Sequence, residues 1–245
     1  MNFKEILRKY LNINLSDTQI RYIRNKIGDL KSSFYNRNLN LIGKYYGTDK
    51  VTVHNYTPIY MTHFRKLRNR KVKLLEIGIG GYNNPTKGGR SLKMWKSYFR
   101  KGMIYGIDIF DKSQIQENRI IVFKGDQTDI DLLNRITIET GKLDIIIDDG
   151  SHINNHVIKT FTILFQKLKK GGIYVIEDTQ TSYMEDFGGD ATTLSNPKTT
   201  MNFFKQLTDL VNRKEFSNFG KFDEYLDFHI NSIHFYPNII FIHKD

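Results

Sequence analysis

Apolar residues gather in five short runs: VKLLEIGIG (72–80), MIYGIDI (103–109), RIIVFKGD (119–126), KLDIIIDD (142–149) and GIYVIED (172–178). Each is nearly all apolar and ends in glycine or an acidic residue, which is how parallel strands covered on both faces read. Helical stretches are expected between them, around 89–100, 129–139, 154–168 and 198–213. Alternating strand–helix units predict a parallel sheet with right-handed crossovers. The last run, SIHFYPNIIFIHKD, breaks at Pro237-Asn238 into two β segments and predicts a hairpin. The expected fold class is therefore α/β and Rossmann-like, with a mostly parallel seven-stranded sheet, a C-terminal hairpin and an N-terminal helical arm.

That arm, residues 1–44, comes from two helical patterns. Phe3, Ile6, Leu7, Tyr10 and Leu11 fall on one helix face. Ser16 with Gln19 resembles a capping box that starts a second helix, with Ile20, Ile23, Ile27, Leu30 and Phe34 on its buried side. Residues 45–245 form the main domain.

Composition narrows the class. The chain has 245 residues, enough for one α/β domain with appendages. It has no cysteine, which excludes disulfides, thiolate metal sites and cysteine nucleophiles. No uncharged apolar run is long enough to cross a bilayer, and the N-terminus has no signal-peptide core, so a cytoplasmic location is expected. The net charge of +11 suits either a phosphate-bearing partner or a solvated basic surface. No arginine-rich tract or known nucleic-acid motif accompanies it, so a nucleic-acid partner is not expected.

In open α/β sheets ligands bind beyond the carboxyl ends of the strands. The first strand ends Glu76-Ile77-Gly78-Ile79-Gly80-Gly81. A nicotinamide fingerprint needs a third glycine where Asn83 stands. Asp108 closes the second strand, where a carboxylate suits ribose hydroxyls, and Asp126 with Gln127 closes the third. Each alone could be a cap or turn residue; together they predict a nucleoside site. The fourth strand ends Asp148-Asp149-Gly150-Ser151-His152 and the fifth ends Glu177-Asp178. Carboxylates crowded at neighbouring strand ends raise one another's pKa unless a cation neutralises them. An all-oxygen set suits Mg²⁺, Mn²⁺ or Ca²⁺.

The segments YGTDK (46–50), LLEIGIGGY, GGRSLKMWKSYF, YGIDIFDKS, GDQTD, IIIDDGSHINNH, GGIYVIEDTQTSY and SIHFYPNIIFI resemble, in order, the metal-dependent sugar O-methyltransferases of glycoside tailoring, the mycinamicin and macrocin O-methyltransferase family. The most specific part is the D-G-S-H and E-D pair, spaced by 28 residues. The resemblance implies a class I methyltransferase fold and S-adenosylmethionine as methyl donor, with Glu76, Gly78, Gly80, Asp108, Asp126, Gln127 and Asp148 near it. It also implies Mg²⁺ or another divalent cation on Asp149, Glu177 and Asp178, with His152 as general base. The acceptor implied is a sugar hydroxyl. Nucleotide-linked heptoses or deoxyhexoses of capsule or lipopolysaccharide synthesis are one expectation, to which the excess positive charge adds. A homo-oligomer is also expected.

Plainer roles stand beside these. His152 could cap the next helix, Asp148 could be a structural partner pointing away from Asp149, and His156 could face solvent. Asp49, Lys50, His54 and Tyr56 fall in a loop before the first strand that either closes over the site or is ordinary surface. Trp95 reads as the packed face of its helix. An RNA methyltransferase, a nucleotide-sugar oxidoreductase or epimerase, and a non-catalytic relative are the rival functions.

Overall fold

The computed structural model describes residues 5, 16, 19–20, 22–23, 26–28, 38–215 and 228–245. Its strands are β1 (Lys73–Ile77), β2 (Met103–Asp108), β3 (Ile120–Lys124), β4 (Leu143–Asp148), β5 (Leu168–Glu177), β6 (Ile230–Tyr236) and β7 (Ile239–Lys244). They form one sheet in the order β3-β2-β1-β4-β5-β7-β6. The first five pair in parallel. β7 inserts antiparallel between β5 and β6, which gives the hairpin expected at Pro237-Asn238. The order reverses between β1 and β4, so the crevice at a topological switch point lies where the acidic residues collect.

The helices are α1 (Leu39–Tyr46), α2 (Asp49–Thr52), α3 (Thr57–Phe64), α4 (Arg90–Tyr98), α5 (Ile130–Thr140), α6 (Asn154–Leu164) and α7 (Thr200–Gln206). Asn38 and Asp129 accept backbone N–H groups at the starts of α1 and α5, satisfying donors that a helix start leaves unpaired. One sheet face packs Leu133, Phe161 and Phe204 from α5, α6 and α7 against Leu75 and Ile146. The other packs Ile42, Phe64 and Trp95 from α1, α3 and α4 against Leu74 and Ile147. Trp95 lies in the packed face of α4, as its position after the glycine loop predicts.

Three sequence readings are corrected. Of the residues read as a loop before β1, Asp49 and Lys50 lie in α2, whereas His54 and Tyr56 do fall in a short loop, between α2 and α3; Pro58 in the first turn of α3 suits a helix start, where its missing N–H costs nothing. The stretch 154–168 is split: α6 ends at Leu164, a 3₁₀ turn follows, and β5 already begins at Leu168. Leu168 pairs with Leu143 across a register shift, and Gly171 at φ +72° carries the chain through the polar KKGG step. The stretch 198–213 is α7 followed by 3₁₀ turns over Leu207–Glu215.

The capping box of Ser16 and Gln19 is formed, with Ser16 N donating to Gln19 Oε1 at 2.9 Å and Gln19 N to Ser16 Oγ at 3.3 Å. The expected helix face over 3–11, and Leu30 and Phe34, lie outside the described residues. The expected division at 44/45 falls inside α1, whose Leu39 and Ile42 are buried in the same core as Trp95. Among the described residues no helix is long and apolar enough to cross a membrane.

Candidate functional site

The loop after β1 is shaped by two glycines with different tasks. A Cβ on Gly78, at φ +84°, would lie 1.9 Å from the Asp149 carbonyl oxygen, so only glycine lets β1 and β4 release their chains side by side. Gly80, at φ +74°, has open space where a Cβ would point. Its backbone is therefore bare on that side. The rest of the loop is tied from below by Lys112, fully buried, whose Nζ donates to the carbonyls of Tyr82, Asn84 and Lys87 at 2.6, 2.9 and 3.1 Å. Gly78→Ala should cost about 2–5 kcal/mol, that of a left-handed alanine plus overpacking against backbone that must move. Gly80→Ala should cost only about 1–2 kcal/mol, that of a left-handed alanine. Urea denaturation of the two variants measures the contrast.

Asp108 closes this loop. Its Oδ2 accepts from Ile79 N and its Oδ1 from Phe110 N, both at 2.9 Å. Asp126 is exposed and accepts from the Thr128 N–H and hydroxyl in a turn. Gln127 is buried under the crevice: its amide donates to Asp148 Oδ1 and Thr160 Oγ1 at 3.2 Å, and its Oε1 accepts from Ser151 N at 2.8 Å. Asp148 is likewise enclosed, and burial pushes its carboxyl up to about 7 against the hydrogen bonds from Gly150 N and Gln127. Gln127 and Asp148 thus build the floor of the site. His156 is half-buried and sits 3.1 Å from Ser151 Oγ.

The acidic residues meet at the ends of β4 and β5, as their adjacency requires. Lys50, from α2 and 1% exposed, stands among them. Its Nζ is 2.6 Å from Asp149 Oδ2, 2.7 Å from Glu177 Oε1 and 3.2 Å from Glu76 Oε1. The Tyr60 hydroxyl from α3 donates to the same Glu177 oxygen. Tyr56 donates to Asp178 Oδ1 at 2.8 Å, and His54, stacked on Tyr56, places Nδ1 3.5 Å from that oxygen. The segment preceding β1 therefore closes over the carboxylates, and of Asp49, Lys50, His54 and Tyr56 only Asp49 is exposed.

Glu76 is wholly buried, accepting from Trp95 Nε1 at 3.1 Å. Burial pushes its carboxyl up to about 7, with Lys50 pulling it down. Burial alone would lower the Lys50 ammonium, but the attraction of Asp149, Glu177 and Glu76 outweighs it and holds the group well above its usual value. Burial, together with like charge, pushes the Glu177 carboxyl well up. Burial also holds both phenols up, so Tyr56 and Tyr60 remain donors.

The sequence places Glu177 beside Asp149 and Asp178 as a third ligand. It is 2% exposed, and its Oε1 is engaged by Lys50 and Tyr60, as Asp149 Oδ2 is by Lys50. The open face of the cluster is formed by Asp149, Asp178 and His152, whose ligand atoms all lie within 4.8 Å of one another. His152 Nε2 is 3.9 Å from Asp149 Oδ1 and 3.8 Å from Asp178 Oδ2. His152 and Asp178 both adopt left-handed backbone, at φ +57° and +54°. Such conformations cost on the order of 1–3 kcal/mol each and persist where the surroundings dictate them.

Sequence does not single out Lys50, Tyr60 and Lys112 for these tasks. The signals for Lys50 are its place in the YGTDK segment and in a stretch that could close over the site.

No known family profile matches the chain. It is 44% identical over 205 residues to mycinamicin VI 2''-O-methyltransferase of Micromonospora griseorubida, a match covering 83% of this chain and 51% of that protein. It is 45% identical over 208 residues to demethylmacrocin O-methyltransferase of Streptomyces fradiae, covering 84% and 53%. The solved structure of MycE methyltransferase from the mycinamycin biosynthetic pathway, in complex with Mg and SAH, matches with a TM-score of 0.80 at 44% identity, over 84% of this chain and 54% of that one. Its complex with Mg, SAH and mycinamycin VI matches with a TM-score of 0.77 at 43% identity, over the same shares. The chain spans about half the length of these relatives.

Proposed function

We propose that this chain, which belongs to the family of sugar O-methyltransferases that includes the mycinamicin VI and demethylmacrocin enzymes, methylates a sugar hydroxyl with S-adenosylmethionine and a divalent cation. The observation that carries this reading is the open cluster of Asp149, Asp178 and His152 at the switch point of the sheet, beside the bare backbone of Gly80.

Both groups fit the residues present. Glu76, Asp149 and Glu177 share one ammonium and Asp178 adds a fourth carboxyl beside Asp149, so burial and like charge hold Glu76 and Glu177 above the usual carboxylate range, a repulsion that a divalent cation would relieve. Asp149 and Asp178 offer oxygen ligands on the side that faces the crevice, which suits Mg²⁺ completed by water or substrate oxygens. Glu177, buried beside them with Oε1 engaged by Lys50 and Tyr60, completes the acidic set. Gly80 lets a ligand approach main chain, and Asp108 retains acceptor capacity for ribose hydroxyls. When bound, the cation supplies charge that lowers the pKa of a coordinated hydroxyl, and S-adenosylmethionine supplies the methyl group.

His152 takes the proton of the hydroxyl being methylated, on Nε2. Asp149 and Asp178 flank that nitrogen on the open face and favour the imidazolium once it forms. Tyr56 and His54 fix Asp178; Lys50 and Tyr60 fix Glu177 and, through Lys50, Asp149. These held groups keep acceptor and donor at reacting distance, from which much of the acceleration comes.

The acceptor is a sugar carried on a small molecule. A nucleotide-linked sugar is the finer form we favour, on the net charge of +11, which suits a diphosphate. The test is transfer of labelled methyl from S-adenosylmethionine to a panel of glycosides and nucleotide sugars, with Mg²⁺ or with chelator. Label on a sugar hydroxyl that vanishes with chelator is the expected result. Transfer to RNA instead, or transfer unaffected by chelator, would overturn the acceptor class or the cation respectively.

A further inference from the structure

At the far edge of the sheet, three histidines gather that methyl transfer does not use. His234 lies on β6, His243 on β7 and His63 on α3, all half-buried. The hairpin register pairs Ser232 with His243 and His234 with Phe241, which sets the two strand histidines on a diagonal of one face. α3 lays His63 over that face, its ring stacked on Phe241 at 4.1 Å between centroids. Ligand nitrogens of the three histidines lie within 4.8 Å of one another.

We propose that His63, His234 and His243 form a second metal site, for Zn²⁺ or a similar borderline transition cation, which ties α3 to the C-terminal hairpin. An all-imidazole set selects such ions over Mg²⁺, which takes oxygen. His63 Nδ1 and His243 Nε2 face each other at 2.8 Å, so one proton must be shared between two lone pairs, and a cation takes that proton's place. Two further ring nitrogens are already engaged. His63 Nε2 is 3.0 Å from the Tyr236 hydroxyl and His234 Nε2 is 2.9 Å from Ser232 Oγ. Such outer partners fix the tautomer that turns the other nitrogen to a metal. Burial, with the neighbouring histidines, lowers His63 and His243 to about 4, which keeps their lone pairs free at neutral pH.

The site is separate from the carboxylates. Ile239 pairs with Glu177 at the chemical end of β5, whereas His243 pairs with Ile173; four residues of strand place it about 13 Å further down the sheet. Its connection to chemistry runs through α3, which also carries Tyr60.

The experiment titrates the chelator-stripped full chain with Co²⁺, then Zn²⁺, in excess Mg²⁺ that occupies the carboxylate site. Visible absorption reports Co²⁺ geometry, and a chromophoric competitor reports Zn²⁺ affinity. We expect one equivalent of Co²⁺ with the intense bands of a low-coordinate nitrogen site, displaced by Zn²⁺, and a Zn²⁺-dependent rise in the thermal midpoint. His243→Gln should weaken Zn²⁺ by about 100-fold or more, and Tyr236→Phe by about 10-fold. His152→Ala with Asp178→Asn should leave this binding intact. No Zn²⁺ uptake by the wild-type chain under excess Mg²⁺ overturns the proposal, whatever the variants do. So does uptake that survives His243→Gln, or that disappears with the carboxylate-site pair; the cluster would then be only a packed set of rings. Neither result bears on methyl transfer, whose readout is separate.

Discussion

Replacing Lys50 with methionine should lower the stability of the fold by about 3–5 kcal/mol, the cost of leaving buried charge without its partner. The methionine keeps most of the stem and its packing. What it removes is the ammonium that touches Asp149, Glu177 and Glu76 at 2.6, 2.7 and 3.2 Å. Three carboxylates are then left facing one another, two of them almost fully buried. Solvent cannot compensate, because Lys50 itself is 1% exposed. Adding Glu177→Gln removes one of the stranded charges and should recover part of the loss, about 1 kcal/mol or more by coupling between contacting residues. Equilibrium urea unfolding of the wild type, both single variants and the double variant measures this. A Lys50→Met protein as stable as the wild type would mean the ammonium contributes no net neutralisation. A double variant no better than the single would assign the loss to packing.

Turnover should fall by about 10²–10⁴-fold in His152→Ala, the range for losing a positioned general base, while S-adenosylhomocysteine binds as before. The separation is structural: His152 Nε2 points between Asp149 and Asp178, whereas the Gly80 backbone and Asp108 line the neighbouring part of the crevice. Calorimetry and single-turnover rates report the two properties independently. An equal loss of both would assign His152 to holding the loop, a reading its left-handed backbone also permits.

The strands are legible in the sequence because β1, β2, β4 and β5 are covered on both sides, so burial writes itself as unbroken apolar runs. The start of β5 is not legible, since Lys169, Lys170, Gly171 and Gly172 carry a turn-like composition into a paired strand. α2 and α3 are hidden for a related reason. The stretch 49–60 contains polar residues, Asn55 and a proline, and reads as a loop, although Lys50, Thr57 and Tyr60 are almost fully buried.

At the site, Asp149, Asp178 and His152 can be placed from strand ends alone, because neighbouring parallel strands bring their carboxyl ends together. Lys50 and Tyr60 cannot. They reach Glu177 across 127 and 117 residues of sequence, from helices whose approach no local pattern encodes. Their arrival gives the buried Glu177 its partners: burial makes its charge costly, and the ammonium and the phenol both engage its Oε1. His63, His234 and His243 are invisible as a group for the same reason, since only the folded hairpin and α3 bring them together.

Whether this crevice holds a methyl donor is decided most directly by calorimetric titration of S-adenosylhomocysteine into chelator-treated protein, repeated with Mg²⁺. One equivalent should bind in both conditions, because the proposed cofactor contacts, Gly80 and Asp108, do not involve the cation. Absence of binding in both conditions would contradict that expectation, and with it the assignment of the crevice to methyl transfer.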